Sequence, residues 1–190
     1  MGIAGKHFSL CPMKKISLLT LFLLSVSLMN AQQKISFDLG VIRQTLHEVN
    51  GLNISSFYHF SEKLAGGIEV NRFFPVTSHA DADMNTSAWD IDINFHYNLP
   101  LGHHLYVYPI SGISHTSEKE VSKLPMGEGI TERFWSVNAG AGLLWQKGHW
   151  GFHTEYLYTW GHINQQFVLA GMNYELELGH HKSHKKHTGE

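Results

Sequence analysis

Residues Ser87–Leu99, SAWDIDINFHYNL, alternate apolar and polar side chains without a break. Trp89, Ile91, Ile93, Phe95, Tyr97 and Leu99 fall on one face of an extended chain, and Asp90, Asp92, Asn94, His96 and Asn98 on the other. Two kinds of fold use such a strand. A soluble sandwich or barrel buries the apolar face as its core, whereas a barrel in a bilayer inverts the pattern, apolar side chains outward and polar ones inward.

Eight alternating segments are legible, at approximately 34–46, 52–60, 66–75, 88–98, 104–115, 133–145, 150–160 and 165–178, and helical periodicity is nearly absent. In the first, Ile35, Phe37, Leu39 and Val41 alternate with Ser36, Asp38 and Gly40. The sixth places Trp135, Val137, Ala139, Ala141, Leu143 and Trp145 against Ser136, Asn138, Gly140 and Gly142. The seventh sets Trp150, Phe152, Tyr156 and Tyr158 against Gly151, His153 and Glu155, and the eighth sets Val168, Ala170, Met172, Tyr174 and Leu176 against Gly171, Asn173, Glu175 and Glu177. The second, third and fifth alternate less regularly. Pro109 lies inside the fifth and removes one ladder hydrogen bond, so a bulge or bend is expected there.

The polar faces decide between the two folds. Asp38, Glu69, Asp90, Asp92, Glu155 and Glu175 share them with few bases, which a dry apolar core does not tolerate. Inward glycines have a reason as well: eight strands enclose a lumen just wide enough for side chains to fill, so glycine offsets Glu, His and Arg.

The tryptophans supply a ruler. Trp135 and Trp145 are ten residues apart, as are Trp150 and Trp160, with the turn Gln146-Lys147-Gly148-His149 between the pairs. Ten strand residues at roughly 3.3 Å each, tilted about 40°, rise roughly 25 Å, the height of the apolar band on an outer-membrane barrel. Indoles favour both membrane interfaces. Trp145 and Trp150 are therefore placed at the periplasmic girdle, and Trp135, Trp160 and Trp89 at the outer one. With a periplasmic N-terminus, the second, fourth and sixth connections are periplasmic, at Ser61–Leu64, Pro100–His103 and Gln146–His149, all short. The third and fifth, PVTSHADADMNTS and SEKEVSKLPMGEGITER, are long, as extracellular loops are, while the first, near Val49-Asn50-Gly51, and the seventh, near Gly161-His162, are short.

The alternation begins only after a leader. Met13-Lys14-Lys15, the apolar run ISLLTLFLLSVSLM and then Asn30-Ala31-Gln32 have the form of a secretory signal peptide, so residues 1–31 are expected to be removed. Met13 is a second candidate start, and a start there leaves Cys11 outside the protein. The chain from 32 onward then has no cysteine, 11 basic and 16 acidic residues, and a formal charge of −5, which argues against a nucleic-acid partner. No later segment approaches the ~18 apolar residues of a transmembrane helix. The expected organisation is residues 1–31 as leader, 32–178 as barrel and 179–190 as a flexible His/Lys-rich tail.

The stretches INFHYNLPLGHHLYVYPISGISH, FWSVNAGAGLLWQ and FHTEYLYTW resemble the small eight-stranded outer-membrane β-barrels of the OmpA/OmpX type, the porin-family outer membrane protein β-barrel domain. The resemblance runs over roughly residues 34–178 and implies an all-β, eight-stranded antiparallel up-and-down transmembrane barrel in the cell outer membrane. It departs at the end: such barrels usually finish on an aromatic residue, whereas here YELEL leads into GHHKSHKKHTGE. Some barrels of this size are lipid-modifying enzymes, an acyltransferase and a lipid A deacylase, and the resemblance keeps that role as the alternative.

Chemistry on the residues themselves is sparse. The chain has 15 histidines, and His180, His181, His184 and His187 cluster in the tail, where such tracts bind Zn²⁺ or Cu²⁺ adventitiously. No spacing gives a closed metal site. Asp81-Ala82-Asp83-Met84-Asn85 lacks the downstream Glu and Gly of a calcium loop. His96, His153 and Glu155 have the residue types for acid–base work, but a lipid-modifying enzyme needs a hydroxyl beside a histidine, and Ser111 and His115 are roughly 13 Å apart along one strand. An interior network of Arg43, Arg72, acids and histidines holding the barrel together is the expected arrangement. No catalytic, cofactor-binding or metal-ligating residue is assigned. The expected protein is a monomer with a narrow filled lumen, a structural or surface-interaction role, outer-membrane lipid around it, and an extracellular ligand or host surface reached by Leu124-Pro125-Met126 and the other long-loop residues. A soluble lipocalin-like binding barrel is the third reading.

Overall fold

The computed structural model describes residues 34–46, 48–77, 84–122 and 129–178. Eight long strands run antiparallel: β1 (Lys34–Gln44), β2 (Val49–His59), β3 (Leu64–Phe73), β4 (Met84–Tyr97), β5 (Leu105–Ser122), β6 (Gly129–Lys147), β7 (Trp150–Gly161) and β8 (Gln165–Glu177). Each pairs with its neighbour in sequence, and β8 returns to β1, from Lys34↔Glu177 to Gln44↔Phe167. Closure pairs the strands of the barrel wall on both sides. Two short pairs, Val76–Thr77 on β4 and Leu99–Pro100 on β5, complete the sheet.

The alternation has the inverted sense. Phe37, Leu39 and Val41 of β1, Ile91, Ile93 and Phe95 of β4, and Val168 and Met172 of β8 all point outward and are 43–62% exposed. Asp38, Glu69, Asp90, Asp92 and Glu155 point inward and are at most 8% exposed. A soluble barrel has no means of leaving that apolar band in water, so the soluble reading fails. All five tryptophans face outward, 43–66% exposed. Trp145 and Trp150 sit at the end of the barrel where Lys34 pairs with Glu177, with Trp150 edge-on to Tyr174 at 4.7 Å. Trp135 and Trp160 lie toward the opposite end, where Trp135 meets His115 at 4.8 Å.

Several details differ from the sequence expectation. Val49, Asn50 and Gly51 belong to β2, and the first connection is the residues between Gln44 and Val49, where Glu48 takes φ 56°. Pro109 makes no bulge. The β5–β6 register runs unbroken from Leu105↔Trp145 to Val121↔Gly129, and Pro109 points outward. On its other side the ladder pauses after His96↔Ile110 and resumes at Leu99↔Val107 in the same register, so the missing N–H costs a local gap and no slip. The long fifth connection is largely strand. Beyond Trp135, β5 and β6 stay paired from Thr116↔Phe134 to Val121↔Gly129, and β4 accompanies them to Met84↔Ser122. Those six further β5–β6 pairs make a ribbon extending about 20 Å along the strands. Asp81–Asp83, Leu124–Met126 and the segments expected as leader (1–31) and tail (179–190) lie outside the described residues.

Candidate functional site

The chemistry of this chain is inside the barrel and at its two mouths. Part of the lumen is an amide–carboxylate ladder. Glu69 accepts from Asn94 Nδ2 at 2.7 Å and from Asn53 Nδ2 at 3.2 Å. Asn53 Nδ2 also reaches Asn71 Oδ1 at 2.8 Å, and Asn71 Nδ2 donates to Asp92 Oδ2 at 2.8 Å. Asn138 Nδ2 donates to Asn94 Oδ1 at 3.2 Å, while Asn138 Oδ1 accepts from Thr159 Oγ1 at 3.1 Å. Asparagine suits this position because one side chain both donates and accepts, linking carboxylates that have no ammonium or guanidinium between them.

Toward the N-terminal end lies a second cluster. Tyr108 Oη donates to Glu155 Oε1 at 2.7 Å, and His153 Nδ1 lies 3.1 Å from the same oxygen. His153 Nε2 is 3.8 Å from Asp38 Oδ1, and Ser55 Oγ donates to Asp38 Oδ2 at 3.2 Å. His96 stacks on Tyr108 at 4.9 Å and on Phe57 at 4.2 Å, with Nε2 4.0 Å from Glu69. Glycine makes the room. A Cβ on Gly142, directly across the ladder from Tyr108, would collide with the phenol ring, and one on Gly171 would come within 2.6 Å of His153 Nε2.

The interior is not uniformly polar. Ile42, Phe73, Tyr108, Ile110, Leu157, Phe167 and Leu169 form a buried apolar plug, with Leu169 fully inaccessible. Beside the Tyr108–Glu155 cluster lies a cavity of about 30 Å³, room for about one water molecule. Two vestibules open at the ends. One of about 510 Å³, at the Lys34–Glu177 end, is lined by Lys34, Glu175, His59, His103 and His104 among others, with Lys34 Nζ 3.3 Å from Glu175 Oε2. The other, about 300 Å³, sits under the ribbon on a floor of Phe73 and Phe167.

His96, His153 and Glu155 all point inward as expected, and the structure joins them through Tyr108. The two arginines do not enter. Arg72 faces outward with its guanidinium 4.7 Å from the Trp89 ring centroid, and Arg43 pairs with Glu48 at 3.3 Å on the exposed rim. A guanidinium at the membrane interface keeps its hydration and stacks on an indole, which a filled lumen does not allow. Ser111 and His115 share the outward face of β5, so they are no pair across the lumen. One hydroxyl–imidazole contact escaped the sequence: Ser36 Oγ and His59 Nε2, 3.4 Å apart across β1 and β2. Ser36 is buried in the lumen. Neither Tyr108 nor this pair had a sequence signal beyond inward parity, because each depends on cross-strand register. Among the described residues no three His, Asp or Glu side chains are placed to hold a metal ion.

The fold has solved counterparts. A major outer membrane protein from Thermus thermophilus superimposes with a TM-score of 0.59 at 10% identity, over 76% of this chain and 99% of that one. The N-terminal β-barrel domain of Pseudomonas aeruginosa OprF gives 0.57 at 14% identity over 77% and 100%. Ail of Yersinia pestis, solved with the heparin analogue sucrose octasulfate, gives 0.56 at 13% identity over 76% and 99%. No curated protein matches the sequence. The family model described as "Outer membrane protein beta-barrel domain" matches residues 17–179. The protein is thus located in the outer membrane, and this chain belongs to the outer membrane protein beta-barrel domain family.

Proposed function

We propose that this protein is a non-enzymatic, monomeric outer-membrane barrel whose role is structural and whose raised ribbon meets the cell's surroundings. The observation that carries this reading is the continuation of β4, β5 and β6 beyond the Trp89–Trp135–Trp160 level, above a lumen closed by side chains. Backbone hydrogen bonds continued past the membrane create a stiff platform, which a passive closure loop does not require. Closure through β1 and β8 pairs the barrel wall all the way round, which supports the monomer. Residues 1–31 act as the removed export leader, and 179–190 as a His/Lys-rich tail.

The charges narrow the partner. Between Ser117 and Arg133 the chain carries Lys119, Lys123 and Arg133 against Glu118, Glu120, Glu128 and Glu132. That mixture does not favour a polyanion such as the one bound to Ail, and suits a protein or neutral glycan surface. The test compares intact cells carrying the natural chain with cells in which residues 119–131 are replaced by an Asn-Gly turn. Adhesion to surfaces coated with matrix proteins or glycans is expected to fall on at least one coating, with barrel assembly unchanged in unboiled gels. Equal adhesion on every coating overturns the reading. Incubation with phospholipid and lipid A, for the natural chain and for Ser36→Ala, His96→Ala and His153→Ala, is expected to give no turnover. Turnover lost in any of these variants would establish the lipid-modifying alternative.

A further inference from the structure

The vestibule beneath the ribbon combines an aromatic floor with a buried, incompletely satisfied carboxylate. Phe73 and Phe167 close its base, ring centroids 5.6 Å apart, at the top of the apolar plug. Asp90 lines it, 3% exposed. Thr116, opposite Asp90 in the ladder, hydrogen-bonds the carboxylate, yet Oδ1 has no hydrogen-bond partner among the described residues. Glu118 and Glu120 continue the acidic wall toward the rim. Among the described lining residues there is no Lys, Arg or His, and the nearby Arg72 is turned outward onto Trp89.

A buried acceptor without a partner is unfavourable, and native proteins rarely leave one unless something supplies the donor. The apolar floor argues for more than a bare ion, and the acids are not clustered as metal ligands are. Aromatic faces and a carboxylate together recognise an ammonium group attached to an apolar body. An anion meets three acids, and a neutral apolar molecule leaves Asp90 unsatisfied.

We propose that this extracellular vestibule is a binding site for a small organic cation with an apolar body, its ammonium group donating to Asp90 and its apolar part resting on Phe73 and Phe167. The site stands apart from the ribbon's surface role, since the cation enters from outside and the plug stops it from passing through.

The experiment uses the full barrel in maltoside micelles, which contain no cation, and titrates it calorimetrically with three probes of one shape: 2-phenylethylammonium, 2-phenylethanol and phenylacetate. The ammonium is expected to bind about tenfold more tightly than the alcohol, with phenylacetate weakest, and Asp90→Asn to erase that order. Equal binding of ammonium and alcohol overturns the proposal, as does an unchanged preference in folded Asp90→Asn. Should Asp90→Asn fail to assemble, NMR of the natural protein decides instead. The ammonium probe is then expected to shift the Thr116 and Ala88 methyl signals, and shifts confined to Ala65, near the opposite mouth, overturn the site.

Discussion

The Tyr108 hydroxyl donates to Glu155 Oε1 at 2.7 Å across the lumen, from residues 47 apart in sequence. Both groups are buried, and no other hydroxyl takes that place among the described hydrogen bonds. Tyr108→Phe keeps the ring and removes only the donor, leaving the carboxylate with His153 alone on that oxygen. Urea unfolding from lipid vesicles is expected to show a loss of about 1–3 kcal/mol. A loss within a few tenths would mean that the bond contributes little to stability.

Gly142 and Tyr108 form one packed unit. Gly142→Ala drives its methyl into the phenol ring and is expected to cost about 1–3 kcal/mol, or to block assembly. Tyr108→Leu removes the ring, so the double variant is expected to be more stable than the sum of the single losses predicts. Strict additivity in the same unfolding assay would break the argument that the contact is direct.

Charge on the outer face is expected to be tolerated according to depth. Ala141 faces outward near the middle of the Trp135–Trp145 span, so Ala141→Arg is expected to destabilise by about 2–4 kcal/mol. Ser117→Arg, on the outward parity of β5 beyond Trp135, is expected to cost at most about 1 kcal/mol. Comparable losses at both sites would place the membrane band elsewhere.

The apolar plug predicts electrical silence. Ile42, Leu157 and Leu169 fill the lumen between a 300 Å³ and a 510 Å³ vestibule. Planar-bilayer recordings of the natural protein are expected to show no steady open channel. Sustained conductance of porin size would require a lumen unlike the one described.

Much of this barrel was legible because a strand has a period of two. The alternation of Trp89–Leu99 assigns each residue to a face before any partner is known, and the inward acids fix which face meets lipid. Where apolar residues occupy both faces, as at Ile42, Leu157 and Leu169, the same parity gives no warning that the lumen carries a plug. The ribbon was hidden for a different reason: Ser117–Ser122 and Gly129–Arg133 are polar enough to resemble loop, and outside the membrane both faces of a strand meet water.

The amino-acid sequence by itself determined where this chain resides and which face of each strand meets lipid, through the outward band, the spacing of Trp135 from Trp145 and Trp150 from Trp160, and the inward carboxylates. Only the tertiary structure decided which interior groups meet. Tyr108 with Glu155, Asn71 with Asp92, and Asp90 with its open Oδ1 depend on register between strands far apart in sequence. That register is set by closure of β1 on β8 and by the space each glycine leaves, neither of which acts until the whole barrel has formed.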